Sequence, residues 1–311
     1  MNTTRMTKAT VLSLMLALVL GFTQCKKNDN LLGLSAEEEP LTFEAMTAGS
    51  KVTFTTTTGA DLQYSVNDGM WQTYKRTVTL SNVGDKVSFR GNNAYLTTSS
   101  MYSTFSCSGQ CYVYGNVMSL LNSTDYANIT TLSHEYVFRK LFKDNTAIYS
   151  HPTKAILLPA TTVTRSCYDE MFYGCKNLTT APQLPATTVA PSCYTAMFES
   201  CESLTVAPDL PATTLCTCCY QSMFANCKGM TVAPELPAPV LVDHCYSYMF
   251  ANCVKVNSLT CLATDFSATS CTYYWLSNVA PSGTFRTISM VGWTAGDSGI
   301  PFGWRIEEIG K

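Results

Sequence analysis

Charged side chains are scarce in this sequence. Asp, Glu, Lys and Arg make up 14% of its 311 residues and nearly cancel, leaving a net charge of −2. Outside the N-terminal segment there is no Lys/Arg cluster. Nucleic-acid recognition begins with a basic field over the phosphates, so that class of partner is excluded. Histidine is scarcer still: His134, His151 and His244 stand in three different segments. His244 precedes Cys245, but a working Cys–His pair needs a hydrogen bond between side chains, not adjacency in sequence. Asp169-Glu170 and Glu307-Glu308 are sequence neighbours; in an extended chain neighbours point apart, so neither makes an acid–base couple. Cys216-Thr217-Cys218-Cys219 lacks a second Cys pair or a His at ligand spacing, which argues against zinc. No catalytic residue, cofactor or metal site is expected, and the chain reads as a non-enzyme.

What the sequence has in quantity is repetition. Cys167, Cys193, Cys219, Cys245 and Cys271 recur at a constant step of 26 residues. Between them run Met171-Phe172, Met197-Phe198, Met223-Phe224 and Met249-Phe250, then a second cysteine column at Cys175, Cys201, Cys227 and Cys253, then Leu178, Leu204, Met230 and Val256. Units close on Ala-Pro-x-Leu-Pro-Ala at 181–186, 207–212 and 233–238. A fixed period in this range marks units that bury their apolar side only against neighbours. The apolar positions repeat while others drift: 176, 202, 228 and 254 read Lys, Glu, Lys, Val, and 183, 209 and 235 read Gln, Asp, Glu. The drifting columns should face water.

Within one unit, apolar residues at 193, 194, 197 and 198 describe one face of a short helix with Ser192 as N-cap. Cys201 to Thr205 can extend, but Pro208 and Pro211 remove two ladder donors and keep any strand short. The predicted fold class is an α/β solenoid of right-handed coils of 26 residues, each a short helix plus a short strand. About five coils stacked at ~4.8 Å would span roughly 20–25 Å.

The run Met-Phe-x-x-Cys-x-x-Leu-Thr followed by Leu-Pro-Ala-Thr-Thr resembles the BspA-like leucine-rich-repeat surface proteins of anaerobic Gram-negative bacteria, over about Tyr136 to Trp275. The resemblance implies a secreted or cell-surface location and adhesion to host matrix proteins or other bacteria. It carries no shared catalytic residues, and its binding residues are not fixed by motif.

Six segments are expected. Residues 1–24 read as a signal peptide: Arg5 and Lys8 precede a mostly apolar run, Ala9 to Phe22, of about 14 residues, short of the ~20 of a membrane span. Cys25 directly behind it looks like a lipidation site, anchoring the chain to the outer membrane, with 25–40 as tether. From 41 to 115 the period changes to two, at Val52-Thr53-Phe54, Leu62 to Val66, Val78-Thr79-Leu80 and Val87-Ser88-Phe89, with a hairpin signal at Asn67-Asp68-Gly69. A small antiparallel, immunoglobulin-like β-sandwich is predicted there. Residues 116–145 are a connector whose helix over 131–144, capped by Ser133, should cover the first coil; 146–276 are the repeats; 277–311 are a C-terminal cap with Trp293 and Trp304.

Nine of the fifteen cysteines stand in the repeat columns and read as small core residues. Cys107 and Cys111, off the repeat, are the better disulfide candidates. The candidate binding face is Thr179, Thr205 and Thr231 with Gln183, Asp209 and Glu235, chosen by expected exposure alone. The expected partner is a protein or glycan at the cell surface, with the membrane reached through the lipid anchor only. The first reading is adhesion through the repeats; the alternative is a glycan-capturing lipoprotein assisting carbohydrate uptake, with sugars stacking on Tyr102, Tyr112, Tyr114, Tyr248, Tyr273 or Tyr274.

Overall fold

The computed structural model describes residues 39–310; the signal peptide, the lipidation site Cys25 and nearly all of the tether lie outside the described residues. The first half of the fold is built from alternating sequence. Strands β1 (Leu41–Ala45), β2 (Ser50–Thr56), β3 (Leu62–Val66), β4 (Gln72–Thr73), β5 (Val78–Leu80), β6 (Lys86–Gly91), β7 (Ser103–Cys107) and β8 (Cys111–Asn116) form two sheets. β1 pairs antiparallel with β6 and β8, and β3 with β6 and β4, while β2 pairs with β5 and β7. The hairpin forms where Asn67-Asp68-Gly69 predicts it, with φ of 49° and 58° at Asn67 and Asp68. The sheets meet over rings: Phe105 lies 5.2 Å from Phe43, 4.9 Å from Phe89 and 4.7 Å from Phe54.

β8 is also where the repeats attach. Strands β9 (Ile148–Ser150) and β10 (Ile156–Leu157) run parallel to its free edge, and Phe142 packs on Phe105 at 6.0 Å. One hydrophobic core therefore runs from the sheets into the repeats.

The predicted α/β solenoid is not what forms. Among the described residues there is no α-helix, helical geometry is confined to 3-10 turns at Val117–Leu120 and Tyr126–Asn128, and the strands gather into three open sheets. The segment read as a helix capped by Ser192 is a chain of four-residue turns in which Ser192, Ala196 and Ser200 hold φ of 54°, 50° and 63°. The N–H groups of Thr195, Met197 and Glu199 close turns on carbonyls three residues back. Those of Tyr194, Ala196, Phe198 and Ser200 instead bond the next repeat, at Cys219, Gln221, Met223 and Ala225, over 2.8–3.0 Å. A helix capped at Ser192 would turn the N–H groups from Ala196 onward inward and leave those of Tyr194 and Thr195 without a helical partner, and an eight-residue helix of Cys, Tyr, Thr and Ser is marginal in any case. Bonding between repeats satisfies the same groups and fixes the neighbour as well.

The helix expected over 131–144 fails for the same reason. Tyr136, Lys140 and Asp144 hold φ of 61°, 61° and 58°, and the N–H groups of Phe138, Lys140 and Phe142 reach Cys167, Asp169 and Met171. The short strands expected near 201–205 reduce to isolated bridges such as Thr180 with Val206.

Side chains stack on this backbone. Tyr168, Tyr194, Tyr220 and Tyr246 lie ring over ring at 5.8, 5.6 and 6.1 Å, and Phe142, Phe172, Phe198, Phe224 and Phe250 at 5.2–5.8 Å. The second cysteine column donates along the stack: the thiols of Cys175, Cys201, Cys227 and Cys253 reach the carbonyls of Phe142, Phe172, Phe198 and Phe224 at 3.0–3.1 Å. A small side chain with a weak donor meets that requirement. At the far end Trp275 stacks on Tyr246 and on Trp293, and β11 (Ser258–Thr260), β12 (Gly283–Thr287) and β13 (Trp304–Glu308) form a parallel sheet.

Candidate binding surface

Thr179, Thr205 and Thr231 are all exposed, as are Gln183, Asp209 and Glu235. The threonine column is tied to neighbouring repeats at two places: the Thr205 N–H and hydroxyl both donate to the Thr179 carbonyl, at 3.0 and 3.2 Å, and the Asn257 N–H donates to the Thr231 carbonyl at 3.2 Å. Sequence reasoning missed the column beside it. Val206 and Val232 are 51% and 58% exposed, so an apolar strip accompanies the hydroxyls. Their signal was a β-branched residue recurring directly after Thr205 and Thr231 with no buried partner column. A second polar column pairs by alternating sign, since Glu202 receives Lys176 at 3.1 Å and Lys228 at 3.3 Å. The drift of Lys, Glu, Lys is thus complementary from rung to rung.

The six tyrosines named for stacking do not make one platform. Tyr114 is buried, donates to Glu44 Oε2 at 2.9 Å and lies under the Lys154 ammonium. Tyr112 abuts His151, and Tyr102 is exposed beside Lys140. Tyr248, Tyr273 and Tyr274 do come together, with centroids 4.6–5.9 Å apart and all three exposed.

Cys107 closes β7 and Cys111 opens β8, and both carry free thiols. The Cys107 thiol hydrogen-bonds to Cys111, which holds Cys111 below the ordinary thiol range and, with burial, drives Cys107 well above it. Asp169 and Glu170 are drawn into separate ion pairs, Asp169 with Arg139 at 3.0 Å and Glu170 with Lys140 and Lys143. Burial pushes Cys167 and Cys253 up to about 12, the behaviour of inert core thiols. Among the described residues no three His, Cys, Asp or Glu side chains are grouped to hold a metal ion, and no helix is long and apolar enough to cross a membrane. No family model, curated protein or solved structure matches the chain.

Proposed function

We propose that this chain is an exported, non-enzymatic surface lipoprotein that grips a protein partner, of host matrix or of another bacterium, through the exposed columns of its stacked repeats. One observation carries the reading: three successive repeats hold equivalent side chains, Thr179, Thr205 and Thr231, in the open on backbone hydrogen-bonded to the repeats beside it. A surface fixed in this way loses little conformational freedom on binding. Val206 and Val232 add apolar area beside the hydroxyls, the mixture that protein interfaces use. The N-terminal sequence supplies the location, with Cys25 as outer-membrane anchor and the residues up to 40 as tether. The repeat motif's resemblance to surface adhesins supports the same reading, without the helix–strand coil that the spacing within one unit predicted.

The test is solid-phase binding of the full chain to laminin, fibronectin, collagen and bacterial cells. Thr205→Arg and Thr231→Arg, which place bulky cations mid-column, are expected to weaken the retained interaction at least tenfold. Unchanged binding in both variants, or no binding across the panel, overturns the proposal. Anchoring is tested apart from this: Cys25→Ser should abolish acylation of the mature N-terminus, as read by mass spectrometry.

A further inference from the structure

The last two repeats carry something the earlier ones lack. Following one backbone position along the stack gives Glu170, Ala196, Ser222, Tyr248 and Tyr274, all left-handed, with φ between 50° and 56°. A bulky aromatic side chain is a true outlier in that conformation, and Ser222 and Ala196 show that the repeat folds without one. Tyr136 holds an aromatic ring at φ 61° too, but half-buried in the fold; Tyr248 and Tyr274 keep the same strained conformation with their rings exposed, where packing does not account for them.

The side chains are arranged for contact. Tyr248 and Tyr274 lie nearly parallel, 5.9 Å apart at 23°, and Tyr273 stands edge-on at 5.4 and 4.6 Å. The three are 38%, 43% and 39% exposed in chain order, and the backbone under them is fixed: the Tyr248 N–H bonds the Tyr273 carbonyl at 2.8 Å, and the Tyr274 N–H bonds Ser298 Oγ at 3.0 Å. The next left-handed position along each repeat is Asn252 or Asn278, both exposed, and the Asn278 amide donates to Asn252 at 3.0 Å. In the last two repeats these positions hold rings and amides in place of the charge that Glu170 puts at the head of the first column, and although the Asn252 amide donates to Asn226 at 3.0 Å each amide keeps a further N–H. Rings and amides are a poor match for an ionic ligand. They match a neutral ring whose C–H faces stack and whose hydroxyls hydrogen-bond.

We propose that Tyr248, Tyr273 and Tyr274, with Asn252 and Asn278, form a binding site for neutral carbohydrate chains. The site is separate from the threonine columns, so its failure leaves the protein-binding reading standing, and the reverse holds too.

The experiment is calorimetric titration of the full chain with maltohexaose, cellohexaose, mannohexaose and chitohexaose. Tyr248→Ser and Tyr274→Ser install the residue the column already holds at Ser222, so the fold is retained, as thermal unfolding checks. Saturable binding to at least one oligosaccharide is expected, weakened tenfold or more by either substitution and kept by Tyr274→Phe and by Thr205→Arg. Absence of saturable binding at millimolar sugar overturns the proposal, as does binding that survives the double serine variant. A protein ligand lost on the same substitutions, with no sugar bound, overturns it as well.

Discussion

Tyr194 is stacked between Tyr168 and Tyr220 at 5.8 and 5.6 Å, yet its hydroxyl and that of Tyr168 are buried without a hydrogen-bond partner. A desolvated hydroxyl costs ~1–3 kcal/mol when nothing replaces its water. The ring, not the hydroxyl, is what the ladder needs, because Phe138 already occupies its first rung, 5.8 Å from Tyr168. Tyr194→Phe is accordingly expected to leave stability unchanged or to raise it by ~1 kcal/mol in urea denaturation; a clear loss would show the hydroxyl to be bonded. Asp169 gives a prediction in pH. Burial, with Glu170 adding to it, pushes its carboxyl from 3.8 up to about 6 against the opposing pull of Arg139. Between those two values the folded chain holds a proton that the unfolded chain has released. The contribution of Asp169 to stability is therefore greatest below pH 3.8 and falls as pH rises through about 6. The stability of the native protein relative to Asp169→Asn should decline across that window, and a rise would refute the assignment.

At the scale of the element, the turn chain and the helix it was mistaken for share a pattern. Apolar residues at 193, 194, 197 and 198 repeat every four residues, and over eight residues a period of four cannot be told from 3.6. The distinguishing signal lay across repeats: one column reads Gly174, Ser200, Asn226, Asn252 and Asn278, and Gly and Asn are the residues that accept positive φ. The two sheets were more legible, because strict alternation in Val52 to Phe54 or Val87 to Phe89 has no helical counterpart. The site was legible in part. Drift between repeats marked Gln183, Asp209 and Glu235 as exposed, whereas Thr179, Thr205 and Thr231 do not drift and were candidates by expected exposure alone; Val206 was visible only as a recurrence after the threonine. Ser200 separates the two geometries. In a helix Ser200→Gly would cost several tenths of a kcal/mol or more, whereas at φ 63° it should gain up to ~1 kcal/mol, and Ser200→Val should lose ~1–2 kcal/mol. Equal losses in both variants would restore the helix.

In the whole molecule, the three junctions from the Cys167 repeat to the Cys245 repeat are made by the same interactions: alternate backbone N–H groups, two ring ladders and one thiol per rung. If each repeat sees only an equivalent neighbour, one can be removed without breaking the rest. Deleting residues 193–218 sets Tyr220 over Tyr168 and Phe224 over Phe172, and it brings the Cys227 thiol to the Phe172 carbonyl that Cys201 now serves. The surface column is the exception. Removing Glu202 leaves Lys176 facing Lys228, so the deletion is made together with Lys228→Glu, which restores the alternation of sign. The shortened chain is expected to unfold in one cooperative step, with a smaller dependence on urea in proportion to the surface it no longer buries. A deletion of half that length puts turn residues beneath the ring ladders and should give no cooperative transition. The sheets provide the internal reference, because Phe142 and Phe105 lie upstream of both cuts and should keep their contact in the shortened protein. If the two deletions behaved alike, the equivalence of the junctions would be refuted, and with it the basis for treating Thr179, Thr205 and Thr231 as one surface.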